Sequence, residues 1–190
     1  MTGKVLVAGI GNIFLGDDGF GVEVANRLAL RSFPPEVKVA DFGIRGVHLA
    51  YELLDDYDYL ILIDAVPMDE DPGTLAVIEP QGSDIPTASG PEPTASGPEP
   101  TASGPEPVLD AHSMNPAVVL GTLAHLGGQL ERVLIVGCQP ANLEEGIGLS
   151  PSVEGVIGDA VELCCDLVAE IHAGAHAKTP VFQNANEGIG

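Results

Sequence analysis

Hydrophobic residues along this chain gather in short runs separated by glycine, proline and acidic residues, and the period of each run identifies an element. Lys4 to Ile10 (KVLVAGI) is β-branched, apolar and stops at glycines, which predicts a buried first strand. From Gly19, the stretch GFGVEVANRLALRSF puts Val22, Ala25, Leu28 and Ala29 on one helical face, and Pro34-Pro35 closes it. Glu36 to Phe42 alternates as a second strand, and Gly46 to Leu54 carries helical spacing. Asp58 to Val66 (DYLILIDAV) is the strongest candidate for a central strand, since its unbroken apolar run implies burial on both faces. A shorter strand is predicted over Leu75 to Glu79, and a helix over Pro116 to Leu126 with proline at its start. A last strand follows over Arg132 to Cys138, and one closing helix over Ser152 to His172 behind Pro151. Strand and helix alternate, so the expected fold class is α/β: a three-layer α/β/α sandwich around a mostly parallel, mixed five-stranded sheet. Ligands in such folds sit beyond the carboxyl ends of the strands, at positions where connections diverge.

One tract breaks the alternation. TASGPEP occurs three times without change, over Thr87 to Pro93, Thr94 to Pro100 and Thr101 to Pro107, and contains no large apolar residue. Such a composition cannot offset the entropy of ordering, so the expectation is a disordered acidic insert at about 86–107 within a single domain spanning 1–177. Loop closure rises by only about 0.6 kcal/mol per doubling of length, so such an insert is tolerated. Residues 178–190 read as a loose tail.

Charge then narrows the function. The 190 residues hold 28 acids against 7 Lys plus Arg, a formal net charge of −21. Nucleic-acid phosphates and anionic membrane surfaces are bound by releasing counterions to Lys and Arg, so neither is an expected partner, and a monomer is expected. Every apolar run is far below the roughly 20 residues of a spanning helix. The amino terminus lacks the regions of a secretory signal, which makes the cytoplasm the expected location. Three cysteines, Cys138, Cys164 and Cys165, are an odd count with two adjacent, and reduced thiols are expected.

The first strand runs into Gly9-Ile10-Gly11-Asn12 and then Gly16-Asp17-Asp18-Gly19-Phe20-Gly21. Phe14 fills the third-glycine slot of a dinucleotide fingerprint, and Asp17-Asp18 stand where a phosphate loop needs Lys and Ser or Thr. Two carboxylates repel phosphate and attract a cation or a hydrogen-bond donor, which disfavours a nucleotide-binding protein; either acid could also simply cap the helix. Asp64 ends the run LILID at the carboxyl edge of the central strand, where a charge must be paired, hydrogen-bonded or held in a cleft. Strand one is expected beside it, which brings Asp18 and Asp64 to one edge. His112, in DAHSMNP before a predicted helix, lies on another loop able to reach that edge. Two carboxylates and an imidazole suit a divalent transition ion with open coordination positions. No Lys or Arg occurs between Arg45 and Arg132, which favours a cation over an anion. His172 and His176, four apart, are a weaker metal pair at a fraying helix end, and the cysteines carry no signature of a catalytic thiol.

These segments resemble the hydrogenase maturation proteases, which remove a carboxy-terminal peptide from the large subunit of nickel-iron hydrogenases. VLVAGIGNIFLGDDGFGVEVANRL is similar to that family's GxGNxxxxDDGxG signature, and YDYLILIDAV and DAHSMNP extend the likeness over most of the chain outside the insert and tail. The resemblance implies that Asp18, Asp64 and His112 are metal ligands and catalytic residues, with Asp41 in DFGIRG a further accessory acid. It implies an aspartic-type endopeptidase whose partner is the large-subunit precursor. No permanently bound cofactor is expected, because the nickel is presented by the substrate protein. Phe42 and Ile44-Arg45 replace the usual small residues after Asp41, and the insert upstream of His112 is a second departure. The rival class is a non-enzymatic nickel-sensing or delivery chaperone using the same ligands; against it, the only low-complexity tract contains neither His nor Cys.

Overall fold

A computed structural model describes residues 3–80 and 116–174; the repeat tract, His112, His176 and residues 178–190 lie outside the described residues. The sheet has five strands in the order β2-β1-β3-β5-β4. They are β1 (Val5–Ile10), β2 (Val37–Gly43), β3 (Tyr59–Ala65), β4 (Leu75–Ile78) and β5 (Arg132–Cys138). The first, second, third and fifth run parallel, while β4 pairs antiparallel with β5 at the edge. The three central strands are almost wholly buried, which is why their sequences read as continuous apolar runs rather than alternating ones.

Helices cover both faces. Val5, Val7, Ile61, Ile63, Leu134 and Val136 pack with α1 (Phe20–Leu28), α4 (Pro151–Gly155) and α5 (Ile157–His172). The alternate residues, Leu6, Ala8, Leu60, Leu62, Val133 and Ile135, pack with α2 (Gly46–Glu52) and α3 (Pro116–His125). This is the expected three-layer α/β/α sandwich on a mixed, mostly parallel sheet. The expected single closing helix is instead two: Val156, at φ −103° and ψ 1°, leaves helical geometry between α4 and α5. Gly155 at the break explains this, because glycine weakens a helix interior by about 1 kcal/mol relative to alanine.

The close approach of α1 to the sheet shapes the functional edge. A Cβ on Gly21 would fall on the carbonyl oxygens of Ile63 and Ile10, so only glycine lets the helix start directly above the ends of β1 and β3. The three cysteines are free, two of them buried. Among the described residues no helix is long and apolar enough to cross a membrane.

Candidate active site

β1 and β3 are hydrogen-bonded neighbours with Gly9 level with Ile63, so the residues that follow each strand emerge at the same edge. After β1 the chain turns through Gly11, whose φ of +128° and contact with the Asp18 carbonyl exclude a side chain. Beyond that turn, the Asn12 N–H donates to Asp18 Oδ2 at 2.6 Å, which fixes the Asp18 carboxylate beside the strand end. A 3₁₀ turn, Gly16–Gly19, then leads into α1.

Asp64 lies one residue before the end of β3 and is 7 % exposed. Burial raises its pKa most, the Asp18 charge raises it further, and a hydrogen bond from the Ala65 N–H offsets part of this; the result is pushed up to about 8. Near neutral pH this favours the protonated form of Asp64, and a positive charge arriving at the site would draw the proton off. Asp18 and Asp64 are thus electrostatically coupled at the mouth of the sheet, as strand order requires.

Asp17, adjacent in sequence, has a different part. It is 0 % exposed, and its carboxylate accepts hydrogen bonds from the N–H groups of Ala141 (2.8 Å), Asn142 (3.0 Å) and Ser150 (2.6 Å) and from the Ser150 hydroxyl (2.9 Å). Burial alone would raise its pKa, but the backbone donors of Ser150, Asn142 and Ala141, with the Ser150 hydroxyl, bring it below the ordinary value. Asp17 is therefore a charged hub that ties the first loop to residues 141–150 and to the start of α4. It does not cap α1, whose first turn receives no side-chain cap. Sequence reasoning had no signal for this, because its partners lie 124 to 133 residues away.

Asp41 lies in β2, level with Gly9 of β1. Ala40 and Phe42 pack on the α2–α3 side, so strand alternation puts Asp41 on the opposite side, whereas Asp64 shares the parity of Leu60 and Leu62. Asp41 is exposed, and its backbone carbonyl accepts from Arg45. Of the acids, only Asp18 contributes to the raised pKa of Asp64. His112 lies outside the described residues, so the third expected ligand is not placed, and no group of three His, Cys, Asp or Glu residues arranged to hold a metal occurs among the described ones. His172 Nδ1 lies 2.9 Å from the Val168 carbonyl within its own helix, and His176 lies outside the described residues. Cys138 is buried and its thiol is pushed up to about 12, first by burial and then by the Asp17 charge, which suits packing and not nucleophilic attack.

This chain is similar to known proteins in sequence and in fold. The family model described as hydrogenase maturation protease matches residues 22–89 and 105–167. The chain belongs to the hydrogenase maturation protease family. The residues skipped between the two matched stretches fall inside the TASGPEP tract. Among its relatives, the hydrogenase expression/formation protein HupD of Rhodobacter capsulatus is 31% identical over 172 residues, covering 90% of this chain and 72% of that protein. The hydrogenase 2 maturation protease of Escherichia coli K12 is 29% identical, covering 84% of this chain and 87% of its own. The solved structure of the hydrogenase maturating endopeptidase HybD from E. coli superposes with a TM-score of 0.66 at 28% identity, covering 88% of this chain and 93% of that one. Membership places the chain among peptidases and agrees with the α/β sandwich described above.

Proposed function

We propose that this protein is the endopeptidase that removes the carboxy-terminal extension of a nickel-iron hydrogenase large-subunit precursor, and that it acts after nickel has been inserted by recognising the bound ion. The observation that carries this reading is the Asp18–Asp64 pair at the carboxyl edge of the sheet in a chain of this family. Two carboxylates at one edge, with His112 the third expected group, complete the coordination of an ion whose remaining ligands come from the partner. The nickel is part of the substrate; the protein contributes open ligand positions.

Hydrolysis of one peptide bond needs water activated for attack and the scissile carbonyl polarised. In this reading, Asp18 is held by the Asn12 amide through Oδ2, which leaves its other oxygen available as a ligand or base. In the same reading, a carboxylate of the pair accepts the proton of the attacking water and passes it to the leaving amine. The Asp17 hub does no chemistry and keeps the two loops that frame the pair in register.

The test is to mix the full chain with a nickel-loaded large-subunit precursor and follow the intact masses. Loss of a short carboxy-terminal peptide at catalytic ratios of enzyme is the expected result. A tight complex that exchanges nickel without any cleavage would overturn the peptidase reading in favour of a nickel carrier.

A further inference from the structure

The two loops at the acid edge are clipped together by backbone. Leu15 pairs with Gly146 in an isolated parallel bridge. The Gly16 N–H donates to the Gly146 carbonyl at 3.0 Å, and the Gly146 N–H donates to the Phe14 carbonyl at 2.9 Å. The Asp17 N–H donates to the Asn142 carbonyl at 2.9 Å, and the Asp17 carboxylate binds the base of the second loop from beneath. Loops held this firmly can bury their apolar side chains, yet these present them to solvent: Phe14 is 61% exposed and Ile147 83%, with Ile13 and Leu143 exposed beside them. The backbone bridge sets these exposed apolar residues on two adjoining loops, and exposed apolar surface rimmed by polar residues marks interaction sites.

Two further observations say what covers this rim. It is continuous with the acid pair, since Ile13 and Phe14 directly follow Asn12, whose N–H binds the Asp18 carboxylate, and Ile13 packs on Gly19. Its charges are all of one sign: Glu144 and Glu145 lie between Leu143 and Ile147, both exposed, and neither loop contains Lys or Arg. An acidic rim around apolar side chains is complementary to a segment that mixes apolar and basic residues.

We propose that the rim led by Phe14 and Ile147 is the docking surface for the stretch of the large-subunit precursor flanking the scissile bond, and that this stretch carries apolar side chains together with Lys or Arg. The proposal rests on the peptidase reading above. It makes the rim a binding element separate from the acids that meet the nickel.

The experiment measures steady-state cleavage of nickel-loaded precursor by wild type, Phe14→Ser, Ile147→Ser, the double variant, and a Glu144→Lys, Glu145→Lys variant. Leu30→Ser, at an 86% exposed position at the far end of α1, is the control. Because Phe14 and Ile147 are exposed, thermal melts of all variants should match wild type. Each apolar truncation is expected to raise KM about tenfold or more, with the loss falling on KM rather than kcat. The charge-reversal variant should raise KM and weaken or invert its increase with salt. If wild type cleaves and the double variant keeps wild-type KM, the docking proposal fails while the peptidase reading stands. If Leu30→Ser raises KM as much as the rim variants, the proposal also fails. If wild type does not cleave, the peptidase reading falls and takes the docking proposal with it.

Discussion

Replacing Asp64 with Asn removes a buried ionisable group while retaining an oxygen for the Ala65 N–H. Roughly four pH units separate the ordinary value of 3.8 from the folded value of about 8, the cause being burial first and the Asp18 charge second. The sign follows from proton counting. Below pH 4 both folded and unfolded chains hold the proton, and Asp64 makes no difference. Between about pH 4 and pH 8 the unfolded chain releases it and the folded chain keeps it, so stability falls as pH rises; above about pH 8 the cost is constant. At about 1.4 kcal/mol per pH unit the penalty at pH 7 has an upper bound of about 4 kcal/mol, which relaxation and water entry reduce to about 2–3 kcal/mol. Asp64→Asn should therefore be more stable than wild type by about 2–3 kcal/mol at pH 7 and equal to it near pH 4. Urea unfolding of both proteins at half-unit steps from pH 4 to pH 8.5 measures this, and the difference between the two curves cancels the titrating groups distant from Asp64, leaving Asp64 and its coupled neighbour Asp18. A difference that is flat across that range, or a variant less stable at pH 7, would refute the argument that Asp64 is held protonated by its surroundings.

Other expectations follow from the same edge. Asp17→Ala leaves the buried amides of Ala141, Asn142 and Ser150 unpaired and should cost about 3–5 kcal/mol in denaturant unfolding. Because the pKa of Asp17 is lowered on folding, its charge contribution is present above the ordinary carboxylate range and is lost on acidification, so the gap between wild type and variant should narrow as the pH falls through and below that range. Gly21→Ala sets a methyl against the Ile63 and Ile10 carbonyls and should destabilise by about 1–3 kcal/mol, with a loss of cleavage larger than the loss of folded protein accounts for. Thiol titration with a disulfide reagent should find Cys138 and Cys164 unreactive until the protein unfolds, leaving the half-buried Cys165 as the only thiol modified in the native state. Nickel added to the free protein at pH 7 should release protons on binding, read from calorimetry in two buffers of different ionisation enthalpy, and Asp64→Asn should reduce that release.

The sequence made the layers legible because buried parallel strands leave unbroken apolar runs, as VLVAGI and YLILIDA do, and helices leave a 3.6-residue stripe. The acid pair was legible for a related reason: Asp64 interrupts an apolar run where the strand ends, and Asp18 follows a neighbouring strand through a glycine turn. What remained hidden depends on contacts far apart in the chain. The hydrogen bonds of Asp17 reach Ser150, and the bridge from Leu15 reaches Gly146, and no local pattern encodes either. The antiparallel direction of β4 was not readable from its four residues, since strand polarity is set by the connection. The break in the closing helix did have a signal in Gly155, outweighed at the sequence level by the apolar spacing on either side.

The central claim is that the acids at this edge read the nickel of the precursor before its extension is cut. The most direct measurement compares single-turnover cleavage of nickel-loaded and nickel-free precursor by wild type and by Asp18→Ala, Asp64→Ala and His112→Ala, with mass spectrometry of the released peptide. Wild type should cleave only the nickel-loaded form, and each variant should lose at least about a hundredfold in rate, a difference of about 2.7 kcal/mol or more in the barrier. Equal cleavage of both precursor forms by wild type, or cleavage that persists in the Asp18 and Asp64 variants, would contradict it.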